Sequence, residues 1–194
     1  MGNTIKFTYD TEYSSCGTEY HYKARYDGKP AELIPLNCVL SKRRASLQLI
    51  LSDICDCVEM LDLILVDPKS KQTAFLYKAF LITYGKCFAT GVARGLTLNA
   101  KDVFKNQEKL LSAHRHLINA RNKFVAHSDS LIFEQSEVYL SKFGGNLDIF
   151  VPSNKYGHPT DHSFKEVQDH TLFVYEHVSI VIGKLELRLL NEYA

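Results

Sequence analysis

Apolar residues recur at heptad-like spacing through Leu40, Leu47, Ile54, Val58, Leu61 and Leu65. A period near 3.5 held over this length cannot serve a strand, whose two faces alternate every second residue. The pattern predicts one long helix over about residues 37–66. Asp67-Pro68 stops it, because proline brings no amide donor and its ring clashes with the preceding turn. The second half of this segment is apolar on most faces, which suits the central helix of a bundle. A chain of 194 residues suits one such bundle with a short arm and can bury a substantial core.

The rest of the chain supplies partners for that helix. A second helix is expected over about 71–92, with Phe75, Phe80, Tyr84, Cys87 and Phe88 on its buried side and Gly91 and Gly95 ending it. Asn99 is a good N-cap for a third, with Asp102 in its first turn. Its stripe runs Val103, Gln107, Leu110, His114, Leu117, and one more step reaches Arg121, then Phe124 and Val125. After Asp129 the period changes to two. Val138 and Leu140 precede Gly144-Gly145-Asn146, and Leu147, Ile149 and Val151 follow, which predicts a β-hairpin over about 136–151. A loop with Pro152, Gly157 and Pro159 leads to Ser163-Phe164-Lys165-Glu166, a capping box that opens a last helix. That helix presents Val167, Thr171, Val174, Val178, Val181 and Leu185. The expected fold class is therefore mainly α, four to five helices with one inserted hairpin. Residues 1–35 form a Tyr- and Gly-containing arm closed by Pro30 and Pro35, for which short strands and disorder fit equally, and residues 36–194 form the helical domain.

Composition excludes several classes. The strongest apolar run, Leu47 to Val66, is interrupted by Asp53, Asp56, Glu59 and Asp62, so no membrane span is expected. The N-terminus carries acids and tyrosines instead of a charged segment followed by an apolar one, so no secretory leader is expected. The five cysteines are an odd number, scattered mostly through apolar helical patterns, and read as reduced thiols of a cytoplasmic protein. Cys55 and Cys57 diverge by roughly 200° on a helix and cannot jointly grip a metal. His158 and His162, and His170 and His177, have no convincing metal spacing either, so neither metal nor cofactor is expected. Net charge is +1, yet residues 94–127 hold seven Lys/Arg against two acids, while residues 129–194 hold five against ten. A basic element favours a polyanion such as RNA. The same asymmetry equally suits basic and acidic helices that pair or face solvent. Lys42-Arg43-Arg44 begins the first helix and reads as a solvated turn, with contact to RNA phosphates as the alternative.

The candidate chemistry lies at the end of the basic element, in Arg121-Asn122-Lys123-Phe124-Val125-Ala126-His127. Arginine is a permanent cation with a fork of donors, and imidazole titrates near neutral pH. On a continuous helix the two sit about 9 Å apart along the axis and roughly 120° apart in rotation. One protomer could bring them together only through a break in the helix or a long reach by Arg121. A two-fold copy of the same helix offers another solution, so the geometry favours a homodimer. If the helix runs straight, Arg121 points the way the core-facing leucines point, and a guanidinium is rarely sent inward without an anion or a cleft to meet it. Lys123, His114, Arg115 and Asp129 are candidates to line the same site, although His114, on the apolar stripe, otherwise reads as a satisfied core histidine. Alternatively, Arg121 and His127 pair with acids such as Asp129 or cap carbonyls.

The string Ala120-Arg121-Asn122-Lys123-Phe124-Val125-Ala126-His127-Ser128-Asp129 resembles the HEPN superfamily. Its motif is an Arg, a polar residue, three to five further residues and a His. Arg121, Asn122 and His127 fill those slots, and the wider string looks like the branch associated with phage abortive infection. The resemblance implies a helical bundle, homodimerisation through the motif helices and, in many members, metal-independent endoribonuclease activity. It also implies a toxin or antiviral role, with an antitoxin protein as a partner in some systems. In that chemistry His127 moves protons, Arg121 meets the charge on the phosphoryl oxygens and Asn122 holds the phosphate or orients His127. A 2′-OH nucleophile demands RNA, expected to be single-stranded, and leaves a 2′,3′-cyclic phosphate. Other members only bind nucleotide or RNA, or act as structural dimers. One toxin branch carries a modifiable tyrosine two residues after the histidine, where this chain has Asp129.

Overall fold

The computed structural model describes residues 7–13, 20–90, 95–122, 134–136, 138–143, 146–150, 153–155 and 163–193. The chain divides into two compact units, Met1–Cys38 and Val39–Ala194.

The first unit is an antiparallel sheet of β1 (Phe7–Tyr13), β2 (Tyr20–Tyr26) and β3 (Lys29–Ala31), in the order β1-β2-β3. Tyr, Phe and Thr dominate β1, and such side chains fit a pleated surface. Asp27 (φ 49°) and Gly28 (φ 76°) link β2 to β3, both in the left-handed region. Two successive positive φ values match the twist of a tight hairpin, and Asp-Gly is a preferred pair for it. Of the two states open to the arm, strands prevail over these residues.

The second unit is mainly helical. It contains α1 (Val39–Val66), α2 (Thr73–Cys87), α3 (Ala100–Val103), α4 (Glu108–Ala120) and α5 (Phe164–Tyr193). The buried seam of α1 is Leu47, Ile50, Ile54, Cys57, Leu61 and Ile64, a strict alternation of three- and four-residue steps. Leu47, Ile54 and Leu61 of the heptad-spaced set supply one row of that seam, Ile50, Cys57 and Ile64 supply the other, and Leu40, Val58 and Leu65 are only half-buried. Both α2 and α5 pack on α1, leaving Leu49, Leu63 and Val66 exposed. Arg44 near the start of α1 holds Glu186 near the end of α5 through Nε (2.8 Å) and Nη2 (2.7 Å), so Arg44 serves a helix pair as well as a solvated turn.

The face of α2 differs from expectation. Tyr77, Phe80, Leu81 and Tyr84 are fully buried, whereas Phe75 is 74% exposed. Phe75 stands two positions before Tyr77, about 200° round the helix, so both cannot face the core. The third helical segment is interrupted. Asn99 does cap α3, its Oδ1 accepting the Lys101 amide at 3.0 Å, but Asn106 takes a left-handed conformation (φ 61°) and separates α3 from α4. Phe104 in that break is buried, so the interruption turns an aromatic ring into the core.

The capping box of α5 forms: the Ser163 amide donates to Glu166 Oε2 at 2.7 Å and the Glu166 amide to Ser163 Oγ at 3.2 Å. The buried face of α5 is Val167, Thr171, Val174, Val178, Ile182, Leu185 and Leu189, with Val181 only half-buried. Between α4 and α5 the predicted hairpin is β5 (Tyr139–Phe143) paired with β6 (Asn146–Phe150). It is preceded and followed by β4 (Glu134–Ser136) and β7 (Ser153–Lys155), which also pair. The two ladders share one register, since five steps from Glu134 to Tyr139 match five steps back from Lys155 to Phe150. Among the described residues no helix is long and apolar enough to cross a membrane.

Candidate functional site at the end of α4

Three helices meet at the middle of α4, about two turns before Arg121. Tyr84 of α2 places its hydroxyl between His114 Nδ1 of α4 (2.9 Å) and His170 Nε2 of α5 (2.8 Å). All three side chains are buried, His114 at 7% and His170 at 2% exposure. Phe88 and Phe104 lie against the His114 ring, with centroids 4.3 and 5.2 Å away, and Phe104 also stacks on His170. A hydroxyl carries one proton, so one imidazole accepts it and the other donates an N–H to the oxygen. Burial in this aromatic setting, with the Arg115 cation as a second cause, lowers the His114 pKa to about 4. His114 is thus neutral at physiological pH and belongs to the core. As a candidate for lining a cleft it is displaced from the surface by its bond to Tyr84.

Gly85 directly follows Tyr84, and it carries Arg121. A Cβ at Gly85 would meet Arg121 Cγ, Cδ and Nε at 3.2 to 3.3 Å, closer than an ordinary van der Waals contact. The arginine stem therefore lies across α2 where the absence of a side chain admits it. The chain reaches this position through a wide turn: α4 closes at Ala120, and Arg121-Asn122 continue as a π-turn. The Arg121 amide is shared between the Leu117 and Ile118 carbonyls. Single π-turns in helices recur at functional positions. Arg121 is half-buried and Asn122 exposed, and Arg121 Nη1 donates to Asn122 Oδ1 at 2.9 Å. Among the described residues no carboxylate forms an ion pair with Arg121. A guanidinium has five N–H donors, so the bond to Asn122 leaves most of its capacity for a further acceptor.

The inward direction expected for Arg121 is thus realised against α2. Arg115 is exposed on α4. Lys123, His127 and Asp129 lie outside the described residues. Along the Leu110–Leu117 side of α4 a groove of about 540 Å³ opens towards Val167, His170 and Phe173 of α5. Lys109 and His116 stand on its α4 wall and Glu166 and Asp169 on its α5 wall. Among the described residues no group of three His, Cys, Asp or Glu side chains could hold a metal ion.

Tyr84, Gly85 and His170 escaped the sequence reading as parts of this junction. Gly85 had a signal, because a glycine inside a helix costs about 1 kcal/mol relative to alanine and is kept for packing or function. Tyr84 and His170 had only the general demand of buried polar groups for partners. Comparison with known protein families, with curated proteins and with solved structures finds no match for this chain.

Proposed function

We propose that the chain is a metal-independent endoribonuclease of HEPN type, acting in the cytoplasm as a toxin or antiphage effector. The carrying observation is Arg121. Its stem is seated on Gly85, its guanidinium is tied to Asn122 at 2.9 Å, and no described carboxylate neutralises it. A cation fixed in place before the substrate arrives loses little freedom on meeting a phosphate, and that favours transition-state stabilisation. In this reading Arg121 neutralises the charge developing on the phosphoryl oxygens. Asn122 holds the Arg121 fork and a phosphate oxygen. His127 takes the 2′-hydroxyl proton or protonates the leaving 5′-oxygen, and the product is a 2′,3′-cyclic phosphate. Lys123 and Arg115 would draw the RNA strand electrostatically. Homodimerisation through the end of α4 and its continuation would complete the cleft from two protomers, and an antitoxin protein would restrain it.

The purified protein is expected to cut single-stranded RNA in excess chelator and to leave cyclic-phosphate ends, with His127→Ala abolishing cutting while helical content and assembly persist. Cutting that survives in His127→Ala would sink the assignment. RNA or nucleotide binding without any cutting would replace it by a binding module.

A further inference from the structure

The strand register of the arm sorts its side chains into two unlike faces. Phe7 pairs with Tyr26, Tyr9 with Ala24 and Thr11 with Tyr22, and Tyr26 pairs in turn with Lys29 and Ala24 with Ala31. Directly opposed residues share a face, so Phe7, Tyr9, Tyr22 and Tyr26 belong to one side. Those rings are exposed, at 54%, 69%, 65% and 41% respectively. Phe7 and Tyr9 lie nearly parallel, centroids 6.3 Å apart and planes 11° apart, and Phe7 leans on Tyr26 at 4.8 Å. Asp10, Lys23 and Arg25 occupy the reverse side, where Arg25 Nε and Asp10 Oδ2 are 3.8 Å apart.

We propose that this aromatic face of the β1-β2-β3 sheet binds single-stranded RNA by stacking its bases on Phe7, Tyr9, Tyr22 and Tyr26. An antiparallel sheet commonly turns polar residues to water on its open side. Here the exposed rings would have to be covered, and their chemistry says by what. The strand positions on this side hold no Leu, Ile or Val, so the face lacks the aliphatic relief that interlocks with a protein core. Flat rings with hydroxyl rims match flat bases, each of which offers a π-face whatever its sequence. The charge is segregated accordingly: no acid occupies a strand position on this side, and Lys29 supplies a cation beside Tyr26. A depression of about 240 Å³ borders Tyr22, Ala24 and Ala31 on this side and also reaches Lys23 and Arg25 of the reverse side, and it leaves room beside Tyr22 for a ring. Stacking alone accepts DNA as well, and the choice of RNA rests on the nuclease reading above.

The test uses the full chain carrying His127→Ala, in chelator, with a fluorescently labelled oligouridine followed by anisotropy. Replacing Tyr9 and Tyr22 together by Leu keeps the face apolar but removes two π-faces. This variant is expected to bind at least about tenfold more weakly, by the usual contribution of a stacked base. Replacing the same pair by Phe keeps the rings and should hold affinity within about twofold. The part of the binding that the Leu variant loses should fall only shallowly with salt, since the face carries one cation, and an RNA duplex of the same length should compete poorly for it. Undiminished binding by the Leu variant, a steep salt dependence of the ring-dependent part, equal competition by duplex, tighter binding of the deoxy oligonucleotide or no binding at all would each overturn the proposal. Cutting is assayed separately on the unsubstituted chain. Ring-dependent binding without cutting leaves this face standing and removes the nuclease reading, and cutting without ring-dependent binding does the reverse.

Discussion

Two neighbouring residues of α2 support opposite kinds of polar group. Tyr84 anchors a dry cluster in which its hydroxyl meets His114 and His170, both buried among aromatic rings. Gly85 carries Arg121, half-buried, with one bond to Asn122 and no described carboxylate. The first arrangement turns both hydrogen bonds of the Tyr84 hydroxyl inward and ties three helices together. The second keeps a permanent cation in a fixed place with donors to spare. Burying polar groups with matched partners stabilises a fold, whereas holding a cation short of partners is useful when an anion is to arrive.

That contrast makes a set of unequal demands. Arg121→Ala should lower RNA cutting by about 100- to 1000-fold, the usual effect of deleting a group that stabilises developing charge, with a thermal midpoint close to that of the unsubstituted chain. A variant that unfolds, with no ligand found for the parent protein, would move Arg121 to the structural side. Tyr84→Phe should do the opposite. It strips the hydroxyl from two buried imidazoles at a cost of about 2–4 kcal/mol in urea unfolding, while the folded fraction keeps its cutting rate. A neutral effect on stability would show the cluster to be dispensable.

Acid should expose the same cluster. With a pKa near 4 in the folded chain against an ordinary 6.5, His114 takes up its proton first in the unfolded state. The stability it contributes is complete above about pH 6.5 and is lost progressively as pH falls towards 4. Urea midpoints of the parent and His114→Gln should converge across that window, and parallel curves would refute the assignment. Smallest is Gly85→Ala. In a helix interior this change ordinarily stabilises by about 0.5–1 kcal/mol. Here the new methyl must push the Arg121 stem aside, so stability should stay level or fall by about 1 kcal/mol, and cutting should drop by about tenfold. A clear gain in stability would mean that Arg121 does not rest there.

Much of the helical unit was legible because its signals are local. The seam of α1 repeats within seven residues, Asp67-Pro68 follows α1 directly, and Ser163 and Glu166 meet across one turn of α5. The failures have equally local causes. Phe75 was read as core because it is apolar, although its angular position conflicts with Tyr77, and the stripe from Val103 to Leu117 hid the break that Asn106 makes. The arm left strands and disorder open because its aromatic and polar residues form no period decisive by itself.

The site divides along the same line. Arg121, Asn122 and the position of the motif after a basic helix could be read from the chain alone, since they are neighbours in sequence. Where the guanidinium lies could not, because Gly85 comes from another helix. His114 and His170 reach Tyr84 from 30 and 86 residues away, and no periodicity encodes such a meeting. Residue order sets which face of a helix is apolar and where the helix begins and ends. Only packing brings one particular glycine under one particular arginine, because contacts between helices depend on how all their faces fit at once.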